Sequence, residues 1–234
     1  MNRKTFLLTL LALAGVMWTT DAQAQKLRVF DKEYTADTSV DIGGGTITWD
    51  KASATLTLDE VEAYNMYSTF ISCENFPLLK IVLVGENSVE TEWQILYIKD
   101  CNVEISGGGS FKGRSSEVAE AIQQNLSKPH TLTIKNCKFD VQGKERSIIG
   151  FSKGAGAEML NLVIDNAKVK VKGSATRKGE KRAGISRLKS CELKNCHINT
   201  SGVKFGKKPD LTYYELIDEE NNSYPGEVTI VPGD

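Results

Sequence analysis

Two histidines, five cysteines and a scatter of carboxylates are the side chains here that could carry catalysis or hold a metal. His130 follows Pro129 in a polar stretch, and His197 lies among Lys-bearing segments. Neither has a matching ligand nearby in sequence, so both read as surface residues. Cys73, Cys101, Cys137, Cys191 and Cys196 form no C-x-x-C pair, which removes zinc-ribbon and thioredoxin-type chemistry. Glu104 and Asp140 stand outward on neighbouring repeats, with Glu86, Glu90 and Glu92 near a bend. Such oxygens suit a hard cation, so calcium is the one ion to weigh, against a plain solvated acidic face. No nucleophile elbow occurs, and Gly107-Gly108-Gly109, with no helix following, serves better as a bend than as a phosphate cradle.

One charge cluster is uneven enough to suggest binding. Residues 168–189 hold Lys168, Lys170, Lys172, Arg177, Lys178, Lys181, Arg182, Arg187 and Lys189 against one acid, Glu180. Lys168 and Lys170 share an outer face, and Arg177, Lys178, Lys181 and Arg182 sit on a protruding loop. Such a patch can hold an acidic glycan through charge-assisted hydrogen bonds; the competing role is solubility and protection of strand edges. The acidic stretch 215–220 can balance it within the same molecule. Trp49, Tyr64, Tyr67, Trp93 and Tyr97 gather toward the N-terminal half and can serve either as sugar platforms or as cap packing.

What positions these residues is a repeat. Leu132-Thr133-Ile134-Lys135-Asn136-Cys137 has counterparts beginning at Leu56, Leu162 and Cys191, with looser copies at Ile81 and Val103. Bends at residues 60, 86, 108, 136, 166 and 195 recur at spacings of 22 to 30 residues, which marks a solenoid. Each unit holds an alternating strand, a polar Asn or Gly bend, and a second alternating strand such as Cys137, Phe139 and Val141. A third apolar segment precedes each unit: Phe70-Ile71, Ile95-Leu96, Ala121-Ile122, Ser147-Ile148-Ile149 and Ala183-Gly184-Ile185. Three strands per turn predict an all-β, right-handed, single-stranded parallel β-helix of about six coils. A leucine-rich repeat would require a helical turn in every unit, and only residues 116–124 offer one.

Stacking at roughly 4.8 Å puts equivalent residues above one another. Leu58, Leu83, Ile105, Ile134, Ile164 and Leu193 are expected to form one apolar ladder. Val61, Ser88, Ser110, Cys137, Ala167 and Cys196 form a column of mostly small residues, and Asn136, Asn166 and Asn195 an amide ladder. Cys137 and Cys196 then stand a whole coil apart as buried thiols, and Cys101 and Cys191 read the same way. Residues 25–50 are expected to cap the start, 51–205 to form the coils and 206–234 to cap the end, within a single domain.

Ahead of this lies a basic head (Asn2, Arg3, Lys4), an apolar stretch over residues 6–18 and the small-x-small Ala22-Gln23-Ala24. That order predicts a secretory signal peptide over residues 1–24, followed by a secreted, periplasmic or cell-surface location. No second apolar run is long enough to span a membrane. Cleavage removes Arg3, Lys4 and Asp21 and moves the net charge from −1 to −2, a balance unlike that of a nucleic-acid binder.

The succession "LTLDEVEAY", "LKIVLVGENSVE", "VEISGGGSFKG" and "LTIKNCKFDVQG" resembles small secreted bacterial β-helix proteins of the pectate-lyase-like superfamily, in particular those of carbohydrate-binding-domain type. The resemblance covers roughly residues 46–205 and rests on the repeat pattern. It implies polysaccharide binding, in some members with calcium. Catalytic relatives would imply Asn-Thr-Asp, Asp-Asp and Gly-His-Gly motifs, or a calcium-holding Asp cluster. This chain offers only Asn199-Thr200-Ser201, with Ser where the carboxylate would stand. The expected function is therefore an exported, non-catalytic polysaccharide-binding protein, with acidic glycans as candidates. A structural or adhesive surface protein and a uronate lyase are the alternatives.

Overall fold

The computed structural model describes residues 23–175, 179–209 and 211–233, and no helix occurs among the described residues. The predicted signal peptide and the loop residues Arg177 and Lys178 lie outside that range, apart from residues 23 and 24. Three parallel sheets build the stack, because each coil contributes one strand to each. In the second coil these are Ile71–Glu74, Leu79–Val84 and Glu86–Thr91. Four coils complete all three sheets in direct succession, and partial coils at either end bring the solenoid to about five turns rather than six.

The first sheet follows its expected column. Ile71, Leu96, Ile122, Ile148 and Ile185 pair in sequence, and all are buried. Residues 116–124, the one segment with a helical alternative, run into the strand Glu120–Asn125 of this sheet. Ala121, Ile122 and Gln124 are buried there, so the segment serves the stack as a strand and not as a helix.

The second sheet departs from the expected ladder. Ile105 pairs with Ile81, not Leu83, so the continuous column is Leu56, Ile81, Ile105, Ile134, Ile164 and Leu193. Leu58 and Leu83 pair with each other one step along. A two-residue shift leaves every side chain on its face, because the strand period is two, so alternation alone cannot detect it. The cause lies at the corner. Coils one and two bend at the left-handed residues Glu60 and Gly85, whereas later coils bend at Gly107, Asn136, Asn166 and Asn195, two register positions earlier.

Gly107-Gly108-Gly109 is where one corner becomes the other. A Cβ on Gly107 would lie 2.4 Å from the Leu83 carbonyl oxygen, and one on Gly109 2.6 Å from that of Gly85. Gly108 has open space around it.

The third sheet corrects the small-residue column. Ser88 stands beside Glu62 and Lys112, and Ser110 beside Glu86 and Lys138. The inward positions here are Asn87, Phe111, Phe139 and Val169. The left-handed residue of the second bend is Gly85, one position before the bend expected at residue 86, which puts Asn87 rather than Ser88 in the interior. Phe111 stacks on Phe139 at 5.5 Å and on Phe70 at 6.0 Å. Asn87 is 2% exposed. Its Oδ1 accepts the Val61 N–H at 2.9 Å, and its Nδ2 donates to the carbonyls of Val84 and Ser110.

Of the predicted amide ladder, one rung forms: Asn166 Nδ2 donates to Asn136 Oδ1 at 2.9 Å. Asn195 Nδ2 instead reaches Asp165 Oδ1 at 2.9 Å. All three asparagines hold left-handed backbones, which is the older reason for Asn at these bends.

The two ends are finished differently. Lys26–Val29 lies antiparallel on Ile71–Glu74, and the hairpin Thr38–Ile42 with Gly45–Asp50 lies on Thr55–Asp59. The C-terminal strand does not lie over the last coil. Glu227–Pro232 inserts between Lys168–Lys172 and Cys196–Ile198, antiparallel to both. Val228 and Ile230 alternate and are fully buried, so this strand supplies the rung that a parallel strand would otherwise fill.

Candidate ligand-binding surfaces

Four of the seven described cations of the basic cluster have carboxylate partners. Lys170 Nζ lies 2.9 Å from Glu227, and Lys181 Nζ 3.7 Å from Asp218. Arg182 pairs with Glu145 and, at 3.2 Å, with Glu180. Arg187 pairs with Glu158 at 2.9 Å and stacks over Phe151 at 3.7 Å. Ser174–Ala175 and Lys181–Arg182 form a short antiparallel ribbon. Lys168 lines a shallow groove with Lys138, Asn136, Asn166 and Pro232. Asp218 and Glu227 come from the C-terminal segment, which folds back and pairs with two of these lysines.

Glu104 and Asp140 do not meet. Glu104 sits on the second sheet with Lys135 at 2.8 Å, and Asp140 on the third with Arg114 at 2.9 Å. Each carboxylate answers a cation on the adjacent coil. Among the described residues no cluster of three or more His, Cys, Asp or Glu side chains has metal-binding geometry.

All five cysteines are free thiols. Cys137 lies at the bend beside the third sheet, and burial pushes its thiol up to about 12. Burial, aided by Glu192, does the same for Cys191. The Cys101 thiol and burial together raise Cys73. Cys196 Sγ accepts the Ala167 N–H at 3.4 Å, which keeps the predicted Ala167–Cys196 contact although Glu227–Pro232 separates the strands beyond it. With thiolate so scarce at pH 8, alkylation of Cys137 and Cys191 in the folded protein should run about a thousandfold slower than that of an ordinary thiol. Mass-spectrometric labelling kinetics check this; rapid labelling of Cys137 before unfolding would contradict it.

Two corners carry unspent chemistry. At the turn from the third sheet to the first, Tyr64, Tyr67 and Trp93 are 52%, 76% and 52% exposed. A bulge between Ala63 and Met66, with Asn65 left-handed, leaves both tyrosines outside. The buried Thr91 hydroxyl ties the adjacent coil to the carbonyls of Met66, at 3.0 Å, and Ser68, and receives the Trp93 N–H at 3.2 Å. Trp93 is thereby fixed one coil from Tyr67. Trp49, grouped with these by sequence, is 2% exposed and packs edge-on against Phe76, while Tyr97 is half-buried.

At the opposite corner, from the first sheet to the second, a groove of about 770 Å³ is lined by Phe76, Pro77, Asp100, Ser127, Lys128 and His130, among others. His130 is 6% exposed, which corrects its reading as a surface residue. It opens the strand His130–Lys135 in phase with Leu132 and Ile134, and that phase was the signal for an inward side chain. Its Nε2 lies 3.8 Å from Asp100 Oδ1. Ser127 donates to Asp100 Oδ1 through both Oγ (2.8 Å) and backbone N–H (2.6 Å), so the hydroxyl is bonded to the acid, not to the imidazole. That is not the order a Ser-His-Asp nucleophile requires.

These features define a parallel β-solenoid with two separate exposed corners and a basic flank whose charge is partly paired within the molecule. In comparison with known proteins, the chain matches no family model, no curated protein and no solved structure. No helix among the described residues is long and apolar enough to cross a membrane.

Proposed function

We propose that this protein is exported and binds polysaccharide without cleaving it, laying a glycan chain across the corner formed by Tyr64, Tyr67 and Trp93. The observation that carries the reading is the exposure of these three rings on adjacent coils, held there by a bulge and by Thr91. Large rings left in water at a rigid corner suit the apolar faces of sugar rings, with rim hydroxyls still solvated. Neutral chains are favoured over acidic ones, because Lys170, Lys181, Arg182 and Arg187 already have carboxylate partners. A non-catalytic role agrees with Glu104 and Asp140 lying on different sheets and with Ser127 bonded away from His130.

Pull-down on insoluble neutral polysaccharides and a glycan array test this with the purified protein and Tyr67→Ala. Binding to neutral chains is expected, little altered by salt, and weakened about tenfold by the substitution. Tyr67 is mostly exposed, so stability should change by no more than about 0.5 kcal/mol. Release of unsaturated, ultraviolet-absorbing product would overturn the non-catalytic reading, and binding confined to acidic chains would move the site to the basic flank.

A further inference from the structure

We infer that the corner between the second and third sheets carries an anion site, where Lys138 and Lys168, with Asn136 beside them, receive the tetrahedral oxyanion of a sulfate or phosphate ester. The site lies at a different corner from Tyr67 and Trp93, on later coils, and does not depend on the polysaccharide reading.

Charge on the outside of the solenoid is arranged by opposition. Where two charged residues face one another in register on neighbouring strands, one is acidic and the other basic, as with Glu74 and Lys99, Glu120 and Arg146, or Asp165 and Lys135. Among the described residues the one exception is Lys138 with Lys168, which face one another on the third sheet. Like charges in facing positions repel. Both side chains are exposed, and neither ammonium has an ion-pair or hydrogen-bond partner among the described residues. The surrounding acids are engaged elsewhere. Asp140 is held by Arg114 at 2.9 Å, and Asp165 accepts the Asn195 amide at 2.9 Å. On the next coil the residue facing Lys138 is Ser110, and Glu86 stands a further coil away.

The two lysines line a groove of about 440 Å³ together with Asn136 and Asn166, and no carboxylate lines it. Asn136 Oδ1 accepts the Asn166 amide at 2.9 Å, which leaves the exposed Asn136 Nδ2 as a donor. Gly108 borders the groove with nothing within 4 Å of where a Cβ would stand, so space is open for the group that carries the anion. Two ammoniums repel any cation and favour an anion through charge-assisted hydrogen bonds. Three donors in one groove match the three terminal oxygens of a sulfate or phosphate ester, whereas a carboxylate offers two.

Calorimetric titration of the purified protein, at neutral pH and low ionic strength, tests this with inorganic sulfate, inorganic phosphate, glucose 6-sulfate and glucose 6-phosphate. Glucuronate is the carboxylate control. At least one of the two esters should bind saturably, about tenfold or more tightly than glucuronate, and should weaken as sodium chloride is added. The sulfate and phosphate arms tell which ester the site prefers. Lys138→Gln and Lys168→Gln should each weaken that binding about tenfold or more. Lys189→Gln, at another exposed lysine of the basic flank, should leave it within about twofold.

The inference is overturned if no tetrahedral anion binds saturably, or if glucuronate binds as tightly. Binding that survives both Lys138→Gln and Lys168→Gln, or falls equally in Lys189→Gln, also overturns it. Free ions bound where neither ester binds would overturn the ester assignment. The pull-down on neutral polysaccharides does not involve these lysines, so either reading can fail without the other.

Discussion

Gly107→Val should cost on the order of 4 kcal/mol or more, while Gly108→Ala, one residue along, should be close to neutral. At Gly107 the backbone φ is +115°, which valine reaches only under strain of about 1–3 kcal/mol. Its Cβ would also come within 2.4 Å of the Leu83 carbonyl and 2.9 Å of the Leu83 nitrogen, both backbone atoms of the coil above. Two coils must separate to admit it, and such overpacking adds roughly 1–3 kcal/mol. Gly108 meets nothing within 4 Å, so alanine there should change stability by less than about 0.5 kcal/mol. Thermal unfolding followed by circular dichroism reads the contrast: a fall in Tm of roughly 8–16 °C for Gly107→Val, against about 2 °C or less for Gly108→Ala. Equal tolerance at both positions would mean that the corner does not shift where the coordinates place it.

Asn87→Leu should cost about 3 kcal/mol despite the similar volume of the side chains. It removes the acceptor for the Val61 N–H and the donor to two carbonyls, inside a bend that water does not reach. A buried donor without a partner costs roughly 1–3 kcal/mol, and the lost carbonyl contacts add to it. Ser88→Ala is the control, since Ser88 points out beside Glu62 and Lys112. Chemical denaturation should show a lower midpoint for Asn87→Leu with unchanged slope, and a Ser88→Ala curve that overlies the parent. The opposite order would restore the register in which Ser88, not Asn87, lies under Val61.

These two tests fall where the sequence was hardest to read. The stacked strands were legible because alternation such as Leu132-Thr133-Ile134 states which side faces inward, and the isoleucines of the first sheet recur in order. Position along the stack was not. Ile105 can pair with Ile81 or with Leu83 at no cost to its pattern, and only the location of the corner decides. Corners are set by single left-handed residues, and nothing in composition says that the second falls at Gly85 rather than at Glu86. The C-terminal strand was missed as a rung for a related reason. Its alternation was visible, but an antiparallel partner some sixty residues upstream leaves no trace in local pattern. His130 reads as a surface residue from the polar stretch after Pro129, although its phase with Leu132 and Ile134 points inward. Of the candidate site residues, Lys170, Lys181 and Arg182 could be recognised as a cluster of charge, but their neutralising partners Glu227, Asp218 and Glu145 are remote in sequence.

Trp93 gives the most direct access to the central proposal, because Trp49 is buried and shielded from any ligand at the surface. Soluble neutral oligosaccharides are titrated into the protein while tryptophan emission is recorded, with Trp93→Phe as the blank. The account predicts a saturable blue shift that disappears in Trp93→Phe and weakens about tenfold in Tyr67→Ala, without loss of Tm. Unchanged emission with oligosaccharides of every neutral chain that the protein retains in pull-down would contradict it, and would place the glycan elsewhere on the solenoid.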